Sequence, residues 1–335
     1  LKNLLMFLAL TISLNVSAAQ KVNGAGATFP YPIYSKWFSE YQKINKDVEF
    51  NYQSIGSGGG IKQVLAQTVD FGATDAPMTD EELKSAKTPI RHIPTVLGAV
   101  VVAYNVNGVQ AGLHLDGETL AKIFLGSITK WNDAAIVKLN PKAKLPATDI
   151  LVVRRSDGSG TTAVFTEYLA AVSADFKSKV GAGKNVNWPA GIGAKGNEGV
   201  SAMVSQTDGA IGYTELAYAI NTQLNTASMK NAKGEFIAPS VASITAAASS
   251  VKKFDGDLRM SIINADAKGA YPISSFTYIL LPENAASAPV KAVRAFLGWA
   301  LKDGQKFASE LHYAPLPKKM LSLIHISEPT DLSTS

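Results

Sequence analysis

Residues 149–162, DILVVRRSDGSGTT, decide the fold. The segment 149–154 carries four consecutive apolar side chains and predicts a buried strand. Asp157-Gly158-Ser159-Gly160 interrupts it with turn-forming residues. A helix is expected from Thr162, with Val164, Phe165, Tyr168 and Leu169 on one face. Strand, glycine-rich loop and amphipathic helix in that order are the unit of layered α/β architecture. The unit recurs at residues 48–54, a predicted strand, followed by the loop Gly56-Ser57-Gly58-Gly59-Gly60. The helix after it places Ile61, Val64, Leu65 and Thr68 at helical spacing. Residues 69–73 predict another strand, and Thr79-x-x-Glu82 is a capping box opening a helix. The unbroken apolar run 96–104 fits a strand covered on both faces. Residues 271–281 predict a late strand and residues 290–301 a late helix.

A length of 335 residues corresponds to about two domains. Hydrophobic residues at 46% exclude a disordered chain. The absence of cysteine excludes disulfide scaffolds, thiolate metal sites and cysteine nucleophiles. The formal charge is +5, but its five arginines, Arg91, Arg154, Arg155, Arg259 and Arg294, form no basic tract, so no nucleic-acid partner is expected. Residues 1–19 read as a secretory signal: Lys2, an apolar run over 4–14, then Ser17-Ala18-Ala19. About 11 apolar-rich residues are too few to span a bilayer. The mature chain is expected to begin near Gln20 and to be exported. At the other end, residues 321–335 show no helical period, and SLIHISEPT resembles a translated sequencing adapter. This tail is expected to be non-native and is set aside from function.

Three loops share one design. Gly24-Ala25-Gly26-Ala27-Thr28-Phe29 precedes a predicted helix over 31–42; the loops at 56–60 and 157–161 precede the helices already noted. Helix starts hold unpaired N–H donors and a partial positive charge, glycine lets the backbone approach a ligand, and hydroxyls add donors. These are the parts of an oxyanion site. None of the loops fits the nucleotide P-loop, and neither Ser57 nor Ser159 lies in G-x-S-x-G. Residues 191–196 match G-x-G-x-x-G but follow Trp188-Pro189, and read as a turn. His92, His114, His312 and His325 lack metal-ligand spacing.

In GAGATFPYPIY (24–34), IGSGGGIKQV (55–64), DFGATDAPM (70–78) and RRSDGSGTT (154–162), the chain resembles the periplasmic phosphate-binding proteins of bacterial phosphate ABC transporters. The likeness runs from about Asn23 to Pro317. It implies an α/β, two-lobed periplasmic binding protein of type II, each lobe a mixed sheet flanked by helices, with a two-stranded hinge near residues 94–98 and 269–272. Lobe one would comprise 20–95 plus 268–320, and lobe two 96–267. The resemblance carries phosphate contacts to Thr28, Phe29, Ser57, Asp75, Arg155, Ser159, Gly160 and Thr161. Asp157 matches a position that pairs with the binding arginine without touching phosphate. The family's terminal amphipathic helix is expected to be missing beyond Pro317. Also implied are a monomer in the periplasm, transporter permease subunits as partners, and no catalysis, cofactor or metal. The alternatives are a binder of another tetrahedral oxyanion and a periplasmic phosphatase.

Side-chain chemistry agrees with these roles. Thr28, Ser57, Ser159 and Thr161 can donate through hydroxyl and backbone N–H, Phe29 and Gly160 through N–H alone. Arg155 offers a planar fork to two oxygens. A carboxylate at Asp75 makes sense in an anion site only if the ligand brings a proton for it to accept. Phosphate at neutral pH has one; ionised sulfate does not. Neighbours on a strand face opposite ways, so Arg154 points elsewhere.

Overall fold

In the computed structural model the described residues are 19–251, 258–283 and 287–326. The signal segment, Ala19 apart, and the tail beyond Ile326 lie outside them. Twelve strands are seen among the described residues: β1 Gln20–Gly26, β2 Val48–Ser54, β3 Phe71–Thr74, β4 Ile90–Asn105, β5 His114–Leu115, β6 Leu151–Arg155, β7 Ile192–Ala194, β8 Ala210–Glu215, β9 Asn225–Thr226, β10 Ser228–Lys230, β11 Phe236–Ile237 and β12 Ser274–Pro282. β1 lies between β2 and β3, parallel to both, and antiparallel β12 joins β3 to β4. β4 then pairs antiparallel with β8, beyond which β6 and β7 run parallel. The architecture is α/β and two-lobed, with one strand belonging to both sheets.

That strand, β4, is buried almost throughout, as its apolar run requires. It exchanges partners between Ala99, opposite Ser274 of β12, and Val100, opposite Glu215 of β8. The second passage lies alongside: the Val100 amide donates to the Ile273 carbonyl at 2.8 Å. The exchange therefore falls just past the 94–98 segment expected from the sequence. Apolar side chains of both lobes close into one core. Under the first sheet it is aromatic: Trp37 packs on Tyr34 and Phe296, and its indole N–H donates to the Gly304 carbonyl at 2.8 Å. Among the described residues no helix is long and apolar enough to cross a membrane.

Three local expectations are corrected. Residues 58–60 are not loop: the helix Ser57–Ala66 begins at Ser57, making the glycines its first turn. They are there for clearance, since a Cβ on Gly60 would lie 2.6 Å from the Ala25 carbonyl and 2.9 Å from that of Ala73. Residues 191–196 are not a mere turn. β7 pairs in parallel with β6, and Gly196 opens the helix Gly196–Gln206. A strand of only three residues carries too little periodicity to be read. Finally, a terminal helix is present over Lys318–Ile326, and Met320 and Ile324 bury one turn apart against the core. Two apolar residues four apart were too short a pattern to show it.

Gly60→Ala should push the helix Ser57–Ala66 off the ends of β1 and β3. Overpacking of this kind costs about 1–3 kcal/mol. A lowered urea midpoint is expected; an unchanged midpoint would show that the helix start has slack.

Candidate ligand-binding site

The carboxyl ends of β1, β3 and β6 meet where the two sheets face each other, which is where open α/β sheets hold ligands. Thr28 and Phe29 follow β1, Asp75 follows β3, and Arg155 ends β6. Ser57 opens its helix, and Ser159 caps the helix Gly160–Val172, its hydroxyl accepting from the Thr162 amide at 3.0 Å. All of the residues carried over from the resemblance lie in this region, and the polar ones among them are buried except Asp157, which is half-buried.

Asp75 is held on both oxygens. Oδ1 accepts from the Thr277 hydroxyl at 2.8 Å and Oδ2 from Ser57 Oγ at 3.3 Å. Burial pushes its carboxyl up to about 7, against the hydrogen bond from Thr277, the Arg155 charge and the hydrogen bond from Ser57; the Asp157 charge adds to the rise. Gly160 backs onto the same spot, where a Cβ would strike Ser57 Oγ and Asp75 Oδ2. Only glycine permits this approach.

Arg155 is 3% exposed. Its Nε donates to Asp157 Oδ1 at 2.7 Å and its Nη2 to Asp157 Oδ2, a two-point clamp. Nη1 remains on the side of Thr161 Oγ1, at 3.3 Å. Burial pushes the Asp157 carboxyl up, but the hydrogen bonds and charge of Arg155 outweigh this and hold it below the usual range. Asp157 also receives the Gly196 amide at 3.1 Å. Arg154 is half-buried and donates to the Arg155 carbonyl at 3.4 Å.

The two sheets' ends touch through polar groups. The Gly58 amide donates to the Gly158 carbonyl at 2.8 Å, and Lys184 pairs with Glu82 at 3.1 Å on the rim. Beside Asp75 a cavity of about 480 Å³ is lined by Pro77, Asp80, Glu167, Arg259 and Ser261. Among the described residues no cluster of His, Asp or Glu could hold a metal ion.

A family model described as the PBP superfamily domain matches residues 15–303. Phosphate-binding protein PstS of Pasteurella multocida is 46% identical over 336 residues, covering 99% of this chain and 96% of its own. PstS of Xylella fastidiosa is also 46% identical, over 307 residues, covering 91% and 84%. The chain belongs to this family of phosphate-binding proteins. An ABC-type phosphate transport receptor from Vibrio cholerae shares the fold at 19% identity, with a TM-score of 0.58 over 88% of this chain and 100% of that one.

Sequence reasoning missed several residues that contact this cluster. Asn197, fully buried, donates from Nδ2 to Thr28 Oγ1 at 2.7 Å and to Thr161 Oγ1 at 3.2 Å. Tyr218 and Tyr313 donate to the carbonyls of Thr28 and Phe29, each at 2.6 Å. Glu215 is fully buried, and burial pushes its carboxyl well above the usual range despite hydrogen bonds from Ala217 and Tyr313. The 191–196 match was the only signal near Asn197; the tyrosines and Thr277 gave none.

The state of Asp75 makes stability depend on pH. With a native value near 7, the folded protein holds a proton that the unfolded chain has released above about pH 4. The folded form then binds more protons, so this group's contribution to the unfolding free energy falls as pH rises from about 4 to 7. Glu215 acts in the same direction, so the comparison must be with Asp75→Asn. In phosphate-free urea unfolding, the stability of Asp75→Asn minus that of wild type should rise over this window by a few kcal/mol. A difference independent of pH would contradict the buried, proton-holding carboxyl.

Proposed function

We propose that this protein binds inorganic phosphate, stripped of water, between its lobes and hands it to the permease subunits of an ABC transporter. The observation that carries the proposal is a lone carboxylate acceptor, Asp75, set among Ser57, Gly160 and the Arg155 fork. Donors alone would suit any tetrahedral oxyanion. An acceptor among them suits one that retains a proton.

The ligand set is Thr28, Phe29, Ser57, Asp75, Arg155, Ser159, Gly160 and Thr161, with Asp157 fixing the Arg155 fork. Hydroxyls and helix-start amides replace the ligand's water shell, which requires neither metal nor cofactor. Sites of this kind hold the anion without breaking a bond. A phosphatase would need an activated nucleophile or a metal pair, whereas the carboxylates here are already engaged, Asp75 by hydroxyls, Asp157 by Arg155 and Glu215 by Ala217 and Tyr313. The protein works as an exported monomer in the periplasm, after loss of residues 1–19. Lobe one is assigned residues 20–95 and 268–320, lobe two residues 96–267, and they part and close about the two passages of chain beside Val100.

Titration calorimetry tests this. Inorganic phosphate should bind at one site per chain with unchanged affinity in the presence of a chelator, and sulfate should give no comparable heat. Arg155→Ala should weaken phosphate binding roughly tenfold to a thousandfold, and Arg154→Ala by less than about threefold. Loss of binding on chelation, or equal losses from the two arginine variants, would contradict the assignment.

A further inference from the structure

The hydroxyls of Thr28 and Thr161 are chemically ambiguous. Each has one proton to give and lone pairs that accept two. What they present to an anion depends on what already faces them. Asn197 settles this, and its own amide orientation is fixed from behind. Its Oδ1 accepts from the Glu215 amide at 3.0 Å and lies 3.3 Å from the Thr214 hydroxyl. Nδ2 must therefore face the cleft, where it donates to both threonine oxygens.

Each threonine receives a second N–H as well. The backbone amide of Asn197 donates to Thr28 Oγ1 at 3.2 Å, and Arg155 Nη1 to Thr161 Oγ1 at 3.3 Å. Both hydroxyl oxygens thus accept two hydrogen bonds, and only their protons remain to be placed. We infer that Asn197 is a positioning residue that commits Thr28 and Thr161 to act purely as donors toward the anion. This rests on the phosphate reading above. It makes Thr28 and Thr161 hydroxyls that can only give, opposite the Asp75 carboxylate that can accept.

The arrangement also links polarity to closure. Thr28 follows β1 of the first sheet, and Asn197 lies in the first turn of the helix after β7 of the second. Thr28 is committed only when the two ends meet, whereas Thr161, on the same side as Asn197, is committed throughout. A ligand with bare oxygens on both sides rewards closure; one that presents a proton to either threonine leaves donor against donor in a buried site.

Double-mutant cycles with inorganic phosphate separate positioning from packing. Asn197→Ala should bind phosphate about tenfold to a hundredfold more weakly than wild type. In a background carrying both Thr28→Ala and Thr161→Ala the same change should cost less than about threefold, because both hydroxyls it commits are gone. In a Ser57→Ala background, where Asn197 has no partner, the full loss should reappear. Equal losses in all backgrounds would overturn the inference, and so would an Asn197→Ala protein of undiminished affinity. Asn197→Asp keeps the volume and the acceptor toward Glu215 but places an oxygen against Thr28. Relative to wild type it should lose at least as much as Asn197→Ala at neutral pH and recover as acid restores a proton to donate; a loss independent of pH would count against the role. Failure of wild type itself to bind phosphate would instead remove the functional reading on which this rests.

Discussion

An anion withdrawn from water must find a donor for every oxygen, and that constraint organises this molecule. A buried charge without partners costs far more than a domain's net stability. Arg155 brings one full positive charge, yet Asp157 is clamped to it on two points, so the pair adds little net charge. On the reading proposed above, stabilisation is left to aligned dipoles: helix starts at Ser57 and Gly160, and the hydroxyls of Thr28 and Thr161. Fixed dipoles select by direction as well as by sign, which a lone charge does not.

The fold serves that requirement through clearance and convergence. Parallel strands bring their carboxyl ends to one edge, and the following helices start there. For a helix start to reach the ligand, its first turn must pack against strand ends with no side chain between them. Gly60 does so against Ala25 and Ala73, and Gly160 against Ser57 and Asp75. β4 then carries both halves of the site, pairing with β12 on one side of the Ala99–Val100 step and with β8 on the other. Glu215 ends β8 at that step, while Tyr313 joins it to the Phe29 carbonyl from a segment nearly a hundred residues on.

What the sequence made legible follows the range of each interaction. Strands such as 48–54 and the capping box at Thr79 are set by neighbours within a few residues, and both were found where expected. Residues of the four motifs converge in space because each motif carries a strand's carboxyl end, a helix start, or both. Asn197, Tyr218, Tyr313, Thr277 and Glu215 gave no comparable sign, because their partners lie on distant strands and their types are ordinary in a core. Glycines 58–60 look like loop because propensity disfavours them in helices; the crowding that demands them is tertiary. The terminal helix Lys318–Ile326 was hidden for a related reason, its two buried residues being too few to show a period.

The central claim is that Asp75 recognises a proton on the ligand, and sulfate competition tests it most directly. The measurement is displacement of labelled phosphate by sulfate from wild type and from Asp75→Asn, above about pH 8, where the Asp75 carboxyl is ionised. The amide can donate where the carboxylate only accepts. Sulfate should fail against wild type and compete measurably against Asp75→Asn, and it should gain ground on wild type as the pH falls through 7 and Asp75 itself acquires a proton to donate. Equally poor competition against both proteins, independent of pH, would contradict the account.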